Sequence, residues 1–301
     1  MPMIEYRYKK FSAEHQAIIV LANEIIRGHR AQGYTLTLRQ IYYQFIRRDY
    51  FPNTEQSYKR LGSIINDARL AGLIDWNAIE DRSRSIARNP QWESPADILG
   101  VLEHSYHIDM WQNQGDRPEV WVEKDALVGI VAAACQPLDV TYFACRGYVS
   151  QSEQWVSSQR LQRYVDRGQT PVVFYLGDHD PSGIDMTRDH NDRLAMFMGG
   201  VRVERLALNY DQVQHYAPPP NPTKLSDSRA TGYVANFGHE CWELDALEPA
   251  VIVELIRNAI LGVRDTAAWH RMEAKKEIEK DNLKGAVEVA RAHLGRGKGI
   301  A

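Results

Sequence analysis

Val172-Val173-Phe174-Tyr175-Leu176-Gly177-Asp178-His179-Asp180-Pro181-Ser182-Gly183 is the stretch that decides how this chain folds. Its opening run of β-branched and aromatic residues, closed by a glycine, is the pattern of a strand buried on both faces. Pro181-Ser182-Gly183 then suits a turn that opens a helix, since proline is tolerated in a first helical turn. Two aspartates stand between strand and turn. If the backbone stays extended past Gly177, Asp178 and Asp180 share one face and His179 points to the other. Carboxylates at the carboxyl end of such a strand lie where open α/β sheets bind their ligands.

The flanking sequence repeats the unit. Glu119-Val120-Trp121-Val122 reads as a strand ending at Glu123, followed by a buried helix from Ala126 to Cys135. Val140 to Phe143 reads as a strand, Ser152 to Asp166 as a helix, and Val201 to Leu208 as a further strand. Alternating strands and helices predict a parallel α/β core. Glu123 then occupies the same end of its strand as Asp178 and Asp180 do of theirs. Three carboxylates there make a candidate hard-oxygen site for Mg²⁺, with Mn²⁺ as the second choice. Paired aspartates also serve as turn caps, and that structural reading stands beside the metal one.

Upstream, Ser12 to Arg30 predicts a helix with Ile18, Leu21, Ala22, Ile25 and Ile26 along one stripe. Thr37 to Arg47 and Tyr58 to Ala71 predict two more, separated by Pro52-Asn53, and Gly72-Leu73-Ile74-Asp75-Trp76 reads as extended. Three short helices and an extended segment suit a winged-helix-like, DNA-binding arrangement over 35–90, behind a helical extension at 1–34. A linker with a short helix follows at 91–117, its boundary falling between Arg88 and Met110; the α/β domain spans 118–262 and a helical segment 263–301. Leu247 to Ile260 reads as a core-facing helix of the α/β domain. Four prolines between Tyr216 and Thr223 exclude a regular helix or central strand there and predict a rigid loop.

Charge supports this division modestly. The 301-residue chain carries a formal charge of -3, whereas 35–90 holds nine Arg or Lys against six Asp or Glu. A local excess of cations on an acidic chain is the asymmetry expected of a phosphate-facing segment. Cys135, Cys145 and Cys241 show neither metal-ligand spacing nor the density of a disulfide scaffold. With no apolar run near membrane-spanning length and no signal-peptide pattern, the expectation is a soluble protein, cytoplasmic or nucleoid-associated, with no membrane contact.

Glu119-Val120-Trp121-Val122-Glu123-Lys124-Asp125-Ala126-Leu127 and the later Gly177-Asp178-His179-Asp180-Pro181-Ser182-Gly183 together resemble a Toprim domain. Arg146-Gly147-Tyr148 and Trp242-Glu243-Leu244-Asp245-Ala246-Leu247-Glu248-Pro249 follow in the expected order. The narrower resemblance, over roughly residues 35 to 260, is to the topoisomerase VI A subunit, the related meiotic double-strand-break proteins and compact bacterial or phage relatives. It implies a Toprim-like parallel-sheet domain with Glu123, Asp178 and Asp180 as metal ligands. Glu243 and Asp245 are accessory acidic candidates, with the start of a helix as their alternative reading, and His179 is a neighbouring hydrogen-bonding or phosphate-facing group rather than a metal ligand.

Thr37-Leu38-Arg39-Gln40-Ile41-Tyr42-Tyr43 resembles the nucleophile-bearing segment of the same family. The second tyrosine of the pair carries over, so Tyr43 is the implied nucleophile, Tyr42 the alternative and Arg39 a phosphate-holding partner. Adjacent helical side chains diverge by about 100°, so one tyrosine packs inward while the other faces out. Lys59, Arg60 and Arg146 are candidate phosphate contacts. Phe51-Pro52-Asn53-Thr54-Glu55 departs from the family pattern downstream of the tyrosine. The resemblance implies cleavage of duplex DNA by tyrosine transesterification in a homodimer. Without a Walker-type phosphate loop in the chain, strand passage would need a separate ATPase B-like subunit. A Toprim nuclease that activates water and a non-catalytic DNA-binding protein are the alternatives.

Overall fold

The computed structural model describes residues 3–79 and 89–296; residues 80–88 of the expected 35–90 segment, among them Arg88 at the near edge of the expected boundary, lie outside the described residues. The chain forms two compact units. One comprises 1–84 with 118–262, the other 85–117 with 263–301.

The first unit opens with three helices, α1 (Ala13–Arg30), α2 (Leu38–Ile46) and α3 (Glu55–Leu70). Each starts on a hydroxyl cap. Ser12 accepts from the His15 amide at 3.2 Å, Thr54 accepts from Ser57 at 3.2 Å, and Thr37 forms a reciprocal capping box with Gln40. Such caps satisfy amides that have no partner inside the helix and contribute about 1 kcal/mol apiece. The stripe on α1 shifts slightly from expectation: Ile19 is buried, while Leu21 packs at the edge of the core. Nearly all of α2 is buried, with Ile41 and Phe45 at its centre and Phe45 stacked on Phe51 at 5.5 Å.

The extended segment expected after α3 is absent. Gly72 turns the chain with φ of +70° and leaves no room for a Cβ, which would lie 2.9 Å from the Glu5 backbone nitrogen. A 3₁₀ turn at Trp76–Ala78 follows, and among the described residues strand pairing here amounts to single bridges, Glu5 to Ala71 and Leu36 to Ile79. Of the two apolar residues in this turn, Ile74 is fully enclosed and Leu73 is exposed.

The α/β part carries β1 (Asp116–Val122), β2 (Thr141–Ala144), β3 (Thr170–Leu176) and β4 (Arg202–Ala207) in a four-stranded parallel sheet ordered β2-β1-β3-β4. Counting from α4 (Pro95–Ser105), which belongs to the second unit, the helices between strands are α5 (Val128–Cys135), α6 (Gln151–Val165) and α7 (Pro181–Phe197). Trp121, Val173, Tyr175, Leu161 and Leu194 form the core between sheet and helices. Burying each such side chain stabilises the fold by about 1.5–3 kcal/mol.

After β4 come α8 (Tyr210–Tyr216), the two-residue strand β5 (Asn221–Pro222), α9 (Ala230–Phe237), β6 (Glu240–Cys241) and α10 (Pro249–Gly262). The proline-rich segment thus gives one very short antiparallel edge pair with β6, the only kind of strand its missing amides permit. Helix α10 begins two residues later than the Leu247 start expected from its apolar pattern, because Leu244–Ala246 forms a separate 3₁₀ turn.

In the second unit α4 packs with α11 (Thr266–Arg296). Trp111 meets Trp269 edge-on at 5.7 Å, and Gln114 and Asp265 exchange hydrogen bonds. Among the described residues no helix is long and apolar enough to cross a membrane.

Candidate functional site

Because β1 and β3 are neighbours in the sheet, the chain ends of both strands emerge side by side, roughly 4.8 Å apart. The Glu123 amide donates to the Leu176 carbonyl at 2.8 Å, extending the pairing to the strand tips. Gly177 is then required by close approach: a Cβ there would stand 2.5 Å from the Tyr175 hydroxyl and 2.9 Å from Glu123 Oε2. That space admits the Glu123 carboxylate, whose Oε2 accepts from the Asp178 amide at 2.9 Å.

Asp178 is buried and fully engaged. Its Oδ1 accepts from the Leu244 amide at 2.8 Å and its Oδ2 lies 3.0 Å from Lys124 Nζ. Asp180 has a different local role, as the N-cap of α7: its Oδ1 accepts from the Gly183 amide at 2.6 Å and from the Ser182 hydroxyl at 3.0 Å. The capping alternative therefore holds for Asp180, without removing it from the cleft that Glu123 and Asp178 also line.

Arg205 on β4 holds this loop from beneath. Its guanidinium donates to the carbonyls of Gly177 at 3.0 Å, Asp178 at 2.6 Å and Gly183 at 2.8 Å. His179 anchors the loop from the side. It exchanges backbone bonds with Trp242, 2.8 and 2.9 Å long, and its ring lies among Tyr210, Tyr233, Phe237 and Trp242. Nδ1 meets the Tyr233 hydroxyl at 2.7 Å, and burial lowers the His179 pKa to about 4, so the ring is neutral. As the alternation argument predicts, His179 points away from the aspartates.

The Trp242 pairing brings Glu243 and Asp245 across the cleft to face Asp178. At the centre of these acids lies Lys124. Its ammonium is 2.8 Å from Glu243 Oε2 and 2.8 Å from Asp245 Oδ1, besides its contact with Asp178. Arg39 of α2 closes the outer side, paired with Glu243 through Nη2 and 3.2 Å from Asp245 through Nε. Burial alone would raise the Glu243 pKa, but Lys124 and Arg39 overcome it and hold the group at about 2. Asp178 is shifted upward, first by burial and then by Glu123 and Asp245, with Lys124 opposing. Glu123 is raised by burial too, against the Asp178 amide and Lys124.

One cleft of about 1060 Å³ is lined by Glu123, Asp178, Asp180, Glu243 and Asp245 together with the cations Arg39, Lys124, Arg146 and Lys224. A side pocket of about 200 Å³ opens beside it, walled by Arg39, Tyr42, Tyr43, Asn221 and Glu243. The two tyrosines differ in what their hydroxyls do. The Tyr42 hydroxyl accepts from the Thr54 amide at 2.9 Å and lies 2.8 and 3.1 Å from the Thr54 and Pro52 carbonyls, a structural pin. Tyr43 is 3% exposed, has the Arg39 guanidinium 5.9 Å from its ring centre, and helps hold Glu243 charged. Its own phenol is pushed up by burial, with Asp245 and Glu243 adding to the effect.

Comparison with protein-family models, curated proteins and solved structures returned no match. The site therefore rests on its own geometry.

Not every expected residue converges on it. Lys59 pairs with Glu55 at 2.7 Å and Arg60 with Glu14 at 2.5 Å, both as surface ion pairs; Glu55 lines the cleft, but Lys59 and Arg60 do not. Arg146 lies at the cleft, 3.2 Å from Asp125. Lys124, Arg205 and Lys224 had no assigned role in the sequence. Lys124 follows Glu123 just past the strand, where period-two alternation no longer predicts direction, and Arg205 sits on a strand whose ends carried no motif.

Chemically, the donor set suits a divalent cation. Its oxygens are carboxylates, and Asp245 Oδ2 is buried without a hydrogen bond, although Arg39 Nε is nearby. The side chains are not arranged as a cage: among the described residues no three acidic, histidine or cysteine groups stand together as a ready cation site. Lys124 at the centre and Asp180 turned to its helix explain that directly.

Proposed function

We propose that this chain cleaves duplex DNA by metal-assisted tyrosine transesterification, using a Toprim-like acidic centre and a winged-helix-like helical segment that presents Tyr43. The observation that carries the reading is the joining of two features in one place: the carboxylates of Glu123, Asp178 and Asp180 line the same cleft as Arg39, Arg146 and Lys224, and the Tyr43 pocket shares Arg39 and Glu243 with it. A phosphodiester needs both kinds of group. Mg²⁺ or Mn²⁺, held by Glu123, Asp178 and Asp180 with Asp245 in reach, would neutralise phosphate charge and stabilise the attacking and leaving oxygens.

The chain's own residues supply the rest. Arg146 and Lys224 hold phosphate oxygens without reading bases. Tyr43 Oη gives up its proton and attacks phosphorus; the P–O bond to the neighbouring sugar breaks and the leaving sugar oxygen takes up a proton, giving a phosphotyrosine link and a free sugar hydroxyl, and the reverse reaction reseals the strand. In the absence of DNA the phenol is kept protonated by burial and by Asp245 and Glu243. Cutting both strands takes two protomers, and strand passage would take a separate ATPase subunit.

Tyr43's 3% exposure favours a second reading, in which the same acidic centre activates water and the helical segment only positions DNA. Supercoiled and linear duplexes incubated with Mg²⁺ or Mn²⁺ test the shared premise: wild-type protein cuts, and Asp178→Asn does not. Binding of DNA with no cut under either cation would leave a non-catalytic DNA-binding role.

A further inference from the structure

Lys124 occupies the place in the cleft where positive charge is most needed. Its ammonium contacts three carboxylates at 3.0 Å or less, belonging to Asp178, Glu243 and Asp245. Its side chain is 20% exposed, while those of Asp178 and Asp245 are 10% and 0% exposed. Two nearly enclosed carboxylates cannot stay ionised side by side without a cation between them; Lys124 is that cation, with Arg39 3.2 Å from Asp245 on its outer side. The satisfaction is incomplete: Asp245 Oδ2 remains buried and takes no hydrogen bond. One ammonium has three protons to donate, and these acids with Glu123 and Asp180 offer more lone pairs than that.

We propose that Lys124 is an internal counter-cation that competes with a divalent ion for Asp178 and Asp245, and that ion binding releases its ammonium into the cleft. This rests on the metal reading above. Ion entry replaces one charge by two among the same carboxylates, so the like-charge conflict between Lys124 and the ion expels the lysine while the acids keep their compensation. The wild-type site binds divalent ions weakly as a result, and its stability without metal depends on the lysine.

The test uses the full chain and Mn²⁺, whose free concentration is read by electron paramagnetic resonance. Lys124→Met, which keeps the apolar stem and removes the charge, binds Mn²⁺ roughly tenfold more tightly than wild type. Its melting temperature without metal is lower than that of wild type, and Mn²⁺ raises it by a larger increment. Lys124→Arg keeps the charge and stays near wild type. A second readout needs no variant: acetylation of Lys124 in the wild-type protein, followed by mass spectrometry, is faster with saturating Mn²⁺ than without. Wild-type protein that binds Mn²⁺, with Lys124→Met binding no tighter and Lys124 acetylation unchanged, overturns the inference and leaves the metal reading intact. No Mn²⁺ binding by wild type or Lys124→Met removes the metal reading, and the inference with it.

Discussion

Replacing Tyr42 and Tyr43 separately by phenylalanine divides a structural hydroxyl from a chemical one. In Tyr42→Phe the Thr54 amide loses its acceptor, and the Thr54 or Pro52 carbonyl loses a donor. The lost net bond costs about 1 kcal/mol and the unsatisfied, partly buried amide about 1 kcal/mol more, so the total is about 2 kcal/mol. Thr54 is also the N-cap of α3, so the same loss loosens the start of that helix. For a domain of this size the melting temperature should fall by about 4–8 °C. Tyr43→Phe keeps its buried ring and gives up one hydroxyl beside Glu243, which retains Lys124 and Arg39; its cost should stay under about 1 kcal/mol. Scanning calorimetry on both variants measures the difference. Equal stabilities, or a larger loss in Tyr43→Phe, would refute the division of roles.

Two further expectations follow from the same contacts. Asp180→Asn keeps an oxygen for the Gly183 amide, so it should melt near wild type yet fail to cleave DNA, whereas Asp180→Ala should lose cleavage and about 1 kcal/mol of stability. Cleavage by Asp180→Asn at the wild-type rate would leave Asp180 as a cap alone. Between α1 and the start of α10, His29 Nε2 lies 3.3 Å from Glu248, which raises the His29 pKa above 6.5 and, with Gln44 and Arg47, holds Glu248 at about 2. The histidine's contribution is complete below pH 6.5 and is lost as pH rises through its raised folded value. The glutamate's contribution is present above 4.5 and is lost as pH falls toward 2, so the pair stabilises most between pH 4.5 and 6.5. Urea unfolding of His29→Gln should show a flatter decline between about pH 6 and 8 than wild type; parallel curves would contradict the pairing.

The parts of the fold that were legible in the sequence are those set by local periodicity. The strand at Val172 to Leu176, the helices opening at Ser12 and Thr37, and the alternate faces of Asp178 and His179 depend on neighbours within a few residues. The segment after α3 shows the limit: Leu73 and Ile74 are apolar in either a strand or a turn, and Gly72's positive φ decides for the turn. Features built from distant segments were not readable. His179 lies among rings drawn from Tyr210 to Trp242, and Lys124 gains its meaning only when the Trp242 pairing carries Glu243 and Asp245 across the cleft. The joining of 85–117 with 263–301 in one unit has the same character, since no local pattern links segments so far apart.

The most direct test of the account is a search for protein joined covalently to DNA. Wild-type protein and Tyr43→Phe are incubated with supercoiled duplex and Mg²⁺ or Mn²⁺, denatured rapidly, and the DNA is examined for attached protein. The account predicts an adduct with wild type, its attachment mapped to Tyr43, and none with Tyr43→Phe. Cuts with free ends and no adduct, or an adduct that persists in Tyr43→Phe, would contradict it.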